Sequence, residues 1–167
     1  MRKYIRLQAV ITATILMISA SFGWETGFGK NVNDVTYAHS QSQSNEDNHI
    51  LSFSCAKDSD NGLQVLLTGL TFPNLEAFDD KIATFIFRYE LPKNDSFETK
   101  LMAWYFAPDS AWVGSFKVFD AEHLSVFSKA VKLSILNEDR KTILTFPMDG
   151  SSRAARLLKV QCGIGNI

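Results

Sequence analysis

KIATFIFRYEL, Lys81 to Leu91, decides the fold class. Ala83, Phe85, Phe87, Tyr89 and Leu91 take alternate positions, and Ile82, Thr84, Ile86, Arg88 and Glu90 take those between. Successive side chains of a strand point to opposite faces. A period of two therefore gathers the aromatic rings on one side of the backbone, and the stretch reads as a strand with one face fully buried.

Similar signals lie on both sides of it. Pro92-Lys93-Asn94-Asp95-Ser96 is a turn into the strand KLMAWYF (Lys100 to Phe106); Pro108-Asp109-Ser110 ends that strand, and WVGSFKVF (Trp112 to Phe119) is the next. Upstream, Ile50 to Ala56 alternates, with Leu51, Phe53 and Cys55 on one face and Ser52 and Ser54 on the other. Leu63 to Thr68 is a second apolar run, and Asn61-Gly62 between the two is a strong hairpin signal. Downstream, Asp120 stands where a helix N-cap belongs and Glu122 complements the dipole of the first turn. Leu124, Phe127 and Val131 fall at helical spacing, so an amphipathic helix is predicted from about Ala121 to Ala130. Val131 to Leu136 and Thr142 to Phe146 form a second hairpin around Asn137-Glu138-Asp139-Arg140. Ser151 or Ser152 then caps a last helix, Arg153 to Gln161, stopped by Gly163. Short links favour antiparallel pairing. The fold class is α+β, mainly β: an antiparallel sheet or small sandwich with two short helices in the C-terminal half.

The N-terminal end is different. Arg2, Lys3 and Arg6 precede LQAVITATILMISA (Leu7 to Ala20), which is uncharged and mostly apolar, and small residues follow. A basic segment, a short apolar run and small residues are the parts of a secretory signal peptide. The run is shorter than the ~20 residues that span a bilayer. Cleavage after Ala20, Ser21 or Gly23 would suit it. Residues 1–23 are read as the signal peptide, 24–48 as a disordered leader and 49–167 as a single disulfide-linked β-rich domain. The leader reading rests on SQSQSNEDN (Ser40 to Asn48), which is polar, low in complexity and free of aliphatic residues. The whole chain has 17 basic and 18 acidic residues. Loss of the three N-terminal cations leaves a net negative domain, which argues against general nucleic-acid binding.

Two cysteines in an exported chain point to a disulfide. Cys55 in the first core strand and Cys162 after the last helix are the one intramolecular pair; a metal site or two free thiols are the alternatives. The bond would tie the two ends of the domain together and contribute up to about 4.7 kcal/mol on a chain-entropy estimate.

Chemistry is sparse. His123 lies among Asp120, Glu122 and Ser125, where a general base beside a carboxylate is conceivable, although a polar first helical turn accounts for the same residues. Glu76, Asp79 and Asp80 could offer oxygens to calcium, but their spacing matches no EF-hand loop. No nucleophile elbow, zinc-protease pair or phosphate-binding glycine loop occurs. No catalytic residue, metal ligand or cofactor is therefore assigned. Most aromatics belong to the core by alternation; Trp104, Tyr105 and Trp112 are candidates for an interaction surface.

The second half has a recognisable shape. Trp112 leads into HLSVFSKAVKLSI (His123 to Ile135), followed by a charged turn, a strand ending in Phe146, Gly150, an alanine- and leucine-bearing helix and Cys162. With Leu51-Ser-Phe-Ser-Cys55 opening the domain, this resembles the small periplasmic proteins associated with type VI secretion, the VasI-like group. It is also similar in plan to the invasion-associated locus B family. The resemblance covers about Leu51 to Gly163. It implies a non-enzymatic, periplasmic or secreted accessory protein that meets another envelope, secretion-system or host protein, and it carries over only the Cys55–Cys162 pair. An exported small hydrolase or small-ligand binder using His123 and nearby carboxylates is the alternative. It would require a concave site with His123 within reach of an acid and a nucleophile.

Overall fold

The computed structural model describes residues 23–30, 34–56, 62–69, 78–116 and 119–164. Its strands are β1 (Glu25–Lys30), β2 (Thr36–Gln43), β3 (Ile50–Ala56), β4 (Leu63–Thr68), β5 (Ile82–Glu90), β6 (Ser96–Phe106), β7 (Ala111–Phe116), β8 (Lys132–Leu136) and β9 (Thr142–Pro147). Helix α1 (Ala121–Lys129) lies between β7 and β8, and α2 (Ser151–Gln161) follows β9. The strands form one nine-stranded sheet in the order β1-β2-β3-β4-β7-β6-β5-β8-β9. Every neighbouring pair is antiparallel. The mainly β class, the antiparallel pairing and the two C-terminal helices agree with the alternation and capping signals, and the form taken is the single sheet. Of the Asp58–Gly62 turn only Gly62 is described, at φ 66°. The apolar run Leu7 to Ala20 lies outside the described residues.

The sheet is strongly coiled. β3 and β5 stand four places apart in strand order, which on a flat sheet is about 19 Å. Yet the rings of Phe53 and Phe87, one on each strand, are 6.5 Å apart. Phe53 also meets Phe116 of β7, Phe119 and Phe127 of α1. The two helices thus fill the hollow of the sheet and share its core with Leu51, Leu133, Phe146, Ala154 and Leu158. The Cys55–Cys162 disulfide pins the end of α2 to β3, with Cα atoms 5.6 Å apart across a separation of 107 residues.

The expected disordered leader is corrected. Residues 24–48 supply β1, β2 and the turn into β3. Trp24 is buried, stacked on Phe53 at 5.2 Å and edge-on to Phe127 at 4.7 Å. On β2 the buried side chains are Ala38, Ser40 and Ser42. They stand opposite Cys55, Phe53 and Leu51, on the face over which α2 passes. Small residues suit that position because the helix backbone approaches closely, so this strand is buried without an apolar pattern. On β1, Gly27 and Gly29 stand opposite His39 and Tyr37. A side chain at Gly29 would meet the Tyr37 ring within 2.5 Å, so the glycines let those rings lie across the edge strand.

The start of α2 also differs from expectation. Ser151 is within the helix and its N-cap is Gly150 at φ 79°. The Trp24 N–H donates to the Asp149 carbonyl at 2.6 Å, and a Cβ at Gly150 would fall 2.7 Å from the Trp24 carbonyl oxygen. The chain entering β1 therefore runs against the loop entering α2. Glycine serves there for both its left-handed φ and its lack of a side chain.

Candidate functional site

His123 is a core group. Its backbone N–H is capped by Asp120 Oδ1 at 2.8 Å, as the sequence suggests. Its ring is 4 % exposed and enclosed by Phe119, Phe116, Phe97 and Tyr89, with centroids 4.1, 5.2, 5.3 and 5.4 Å away. Nε2 lies 3.3 Å from the Tyr89 hydroxyl. Burial holds the imidazole down at about 4, against a smaller opposing pull from Asp120, and burial likewise pushes the Tyr89 phenol up. The surroundings are aromatic and closed, not the concave acid-and-nucleophile site that the hydrolase alternative requires.

The acidic loop offers no ligand cluster that can be described. Glu76 lies outside the described residues, and Asp79 accepts the Ala107 N–H at 3.2 Å. Among the described residues no three His, Cys, Asp or Glu side chains are grouped to hold a metal ion.

The three aromatic candidates separate. Tyr105 and Trp112 face each other across β6 and β7 with rings 5.3 Å apart. They are 2 % and 1 % exposed, so both leave the interaction surface and join the core. Trp104 is 47 % exposed, on the opposite, convex face. The register sets it directly beside Val113 of β7 and Ile82 of β5, and Val113 beside Leu66 of β4. Directly opposed residues share a face. Leu66, Val113, Trp104 and Ile82 thus form one apolar row across four strands, about 14 Å at ordinary strand spacing. Met102 and Phe106 extend it along β6. Ile82 and Met102 were not singled out from the sequence, although their places in the alternating strands hold the signal: they are the even positions, opposite to the buried rings.

Further along the convex face the surface becomes polar. Glu98 accepts from Arg88 Nε at 2.6 Å and from one Arg140 guanidinium nitrogen at 2.9 and 3.0 Å. Chiefly the Arg88 bond, with Arg140 adding to it, holds the Glu98 carboxyl below its usual range. This cluster is separated from Met102 by the Ile86–Lys100 pair and is internally neutralised except for one positive charge.

No family model, no curated protein and no solved structure matches the chain. Among the described residues no helix is long and apolar enough to cross a membrane. The disulfide is compatible with an exported protein.

Proposed function

We propose that this chain is an exported, non-enzymatic accessory protein that binds another envelope, secretion-system or host protein through the convex face of its sheet around Trp104. The observation that carries this reading is the row Leu66–Val113–Trp104–Ile82 with Met102 and Phe106 beside it. Large apolar side chains gathered on one exposed face favour partner binding over solvation. Tryptophan is among the residues that most often dominate such interfaces. The basic, apolar N-terminal stretch and the disulfide support export. The likeness to the VasI-like and invasion-associated locus B proteins supports an accessory role.

Trp104→Glu and Met102→Glu change exposed positions and leave the core intact. The wild-type protein, used as bait in envelope extract and against host-cell surface extract, is expected to retain a defined partner that both variants lose. Retention of the same partner by both variants would overturn the docking face. A turnover activity that disappears in His123→Gln, with the fold preserved, would overturn the non-enzymatic reading.

A further inference from the structure

The two helices leave a cleft on the side of the molecule away from the Trp104 row. α1 and α2 run antiparallel: the Ser152 hydroxyl, at the start of α2, donates to the Ser128 carbonyl near the end of α1 at 2.8 Å. Between them is an open cleft of about 330 Å³, lined by Ala121, Leu124, Ser125 and Ser128 from α1 and by Ser152, Ala155, Arg156 and Lys159 from α2. That volume is at the lower end of small-ligand sites. Its floor is apolar, with Leu124 and Ala155 both buried. Alanine and serine along both walls keep it open, since larger side chains there would fill it.

The charge of the cleft is one-sided. Arg156 and Lys159 are exposed, and among the described residues neither is within ion-pair distance of a carboxylate. Lys30, Arg88, Lys132 and Arg140 have acidic partners, whereas among the described residues Lys81, Lys93, Lys100, Lys129, Lys141 and Arg153 have none either, so what distinguishes Arg156 and Lys159 is their place on the cleft wall. α2 carries Arg153, Arg156 and Lys159 and no acidic residue, in a chain whose net charge is −1. The Ser128 and Ser152 hydroxyls do not compete for the same role. Ser128 donates to the Ser125 carbonyl and Ser152 to the Ser128 carbonyl, so their protons are already engaged. Charged donors for an anion come from the guanidinium and the ammonium, and apolar contact comes from Ala121, Leu124 and Ala155.

We propose that this cleft binds an amphiphile with a carboxylate or phosphate head and a short apolar body. The head lies against Arg156 and Lys159 and the body along the Leu124–Ala155 floor. Arginine suits such a head because its planar fork meets two oxygens at once. Neither a bare anion nor a neutral amphiphile uses both halves of the site. The proposal is independent of the Trp104 face, which lies on the other side of the sheet.

Calorimetric titration of the purified protein with octyl phosphate and with octanoate, each below its micelle concentration, tests it. Both are expected to bind, and at least tenfold more weakly to Arg156→Gln, to Lys159→Gln and to the cleft-filling variant Ser125→Leu. Inorganic phosphate and octyl glucoside are expected to bind at least tenfold more weakly than octyl phosphate. Trp104→Glu should leave all these affinities unchanged. Given binding of the octyl anions, vesicles with and without an anionic phospholipid separate two sources of the same head: additional sedimentation with the anionic but not the neutral vesicles points to a bilayer lipid, and sedimentation with neither points to a free amphiphile. Equal binding of octyl glucoside, equal binding of inorganic phosphate, affinities unmoved by Arg156→Gln and Lys159→Gln, or no binding of either octyl anion would each overturn the proposal.

Discussion

Glu46 holds Thr145 with both carboxylate oxygens, across a separation of 99 residues: Oε2 accepts the Thr145 N–H at 2.7 Å and Oε1 accepts its hydroxyl at 2.6 Å. The neighbouring Asn45 N–H donates to the Thr145 carbonyl at 2.9 Å. Thr145 lies on β9, the last strand of the sheet, opposite Ser134 of β8. Its outward backbone groups, which would otherwise present an open edge, are satisfied by the turn between β2 and β3. An unprotected edge is a template for pairing with another chain. The polar segment Ser40 to Asn48 is therefore part of the sheet's closure.

Replacing Glu46 should expose that edge. Glu46→Ala is expected to lower stability by about 1 kcal/mol, the ordinary size for such a hydrogen-bonded contact at the surface, and to raise self-association. Urea denaturation measures the first and light scattering against concentration the second. Unchanged scattering together with unchanged stability would show that the turn does not guard the edge.

Opening the disulfide should be more costly. Cys55→Ser with Cys162→Ser is expected to destabilise the domain by about 2–4 kcal/mol, because the loop between them covers most of the domain. The wild-type chain should show no free thiol until a reductant is added. Detection of two thiols in the untreated protein would contradict the pairing.

The legible parts of the fold are those with a strong periodic or capping signal. Leu51, Phe53 and Cys55 alternate with serines, and Phe85, Phe87 and Tyr89 alternate with Ile86 and Arg88, so β3 and β5 could be placed from the chain itself. Asp120 marked the start of α1 because its carboxylate can accept the His123 N–H. β1 and β2 were hidden for physical reasons. β2 buries Ala38, Ser40 and Ser42 beneath a helix, and β1 carries glycines that yield space to Tyr37 and His39. Neither strand shows the apolar alternation that burial usually imposes. Alternation also says that Trp104 and Tyr105 point to opposite faces but not which face is covered. That depends on where the helices settle, so Tyr105 and Trp112 proved to be core and Trp104 surface.

Two tryptophans should therefore respond in opposite ways. Trp24→Ala removes a ring stacked on Phe53 and is expected to cost about 3–5 kcal/mol, although Trp24 lies in the segment that composition reads as disordered. Trp104→Ala is expected to change stability by less than about 1 kcal/mol while weakening the partner interaction. Chemical denaturation and partner binding, measured on both variants, check this. A small effect at Trp24 would mean that β1 is not part of the cooperative unit.

His123 should make stability depend on pH in the acid range. Its imidazole, enclosed by Phe116, Phe119 and Tyr89, is held down at about 4 by burial, whereas in the unfolded chain it titrates near 6.5. Between these values the unfolded state binds more protons than the folded one. The contribution is thus fully present above about pH 6.5 and is lost as the pH falls toward 4. A difference of about 2.5 units corresponds to at most about 3 kcal/mol. His123→Phe keeps an aromatic ring in the cage and cannot titrate. At pH 7 it is expected to cost about 1 kcal/mol for the lost contact with the Tyr89 hydroxyl; by pH 4.5 it should be the more stable of the two proteins. Urea midpoints for both, taken at intervals from pH 7.5 to 4, measure the difference and cancel the carboxylates common to both. Parallel curves through that window would mean that His123 takes up its proton without leaving the core, and the closed aromatic cage would then be wrong.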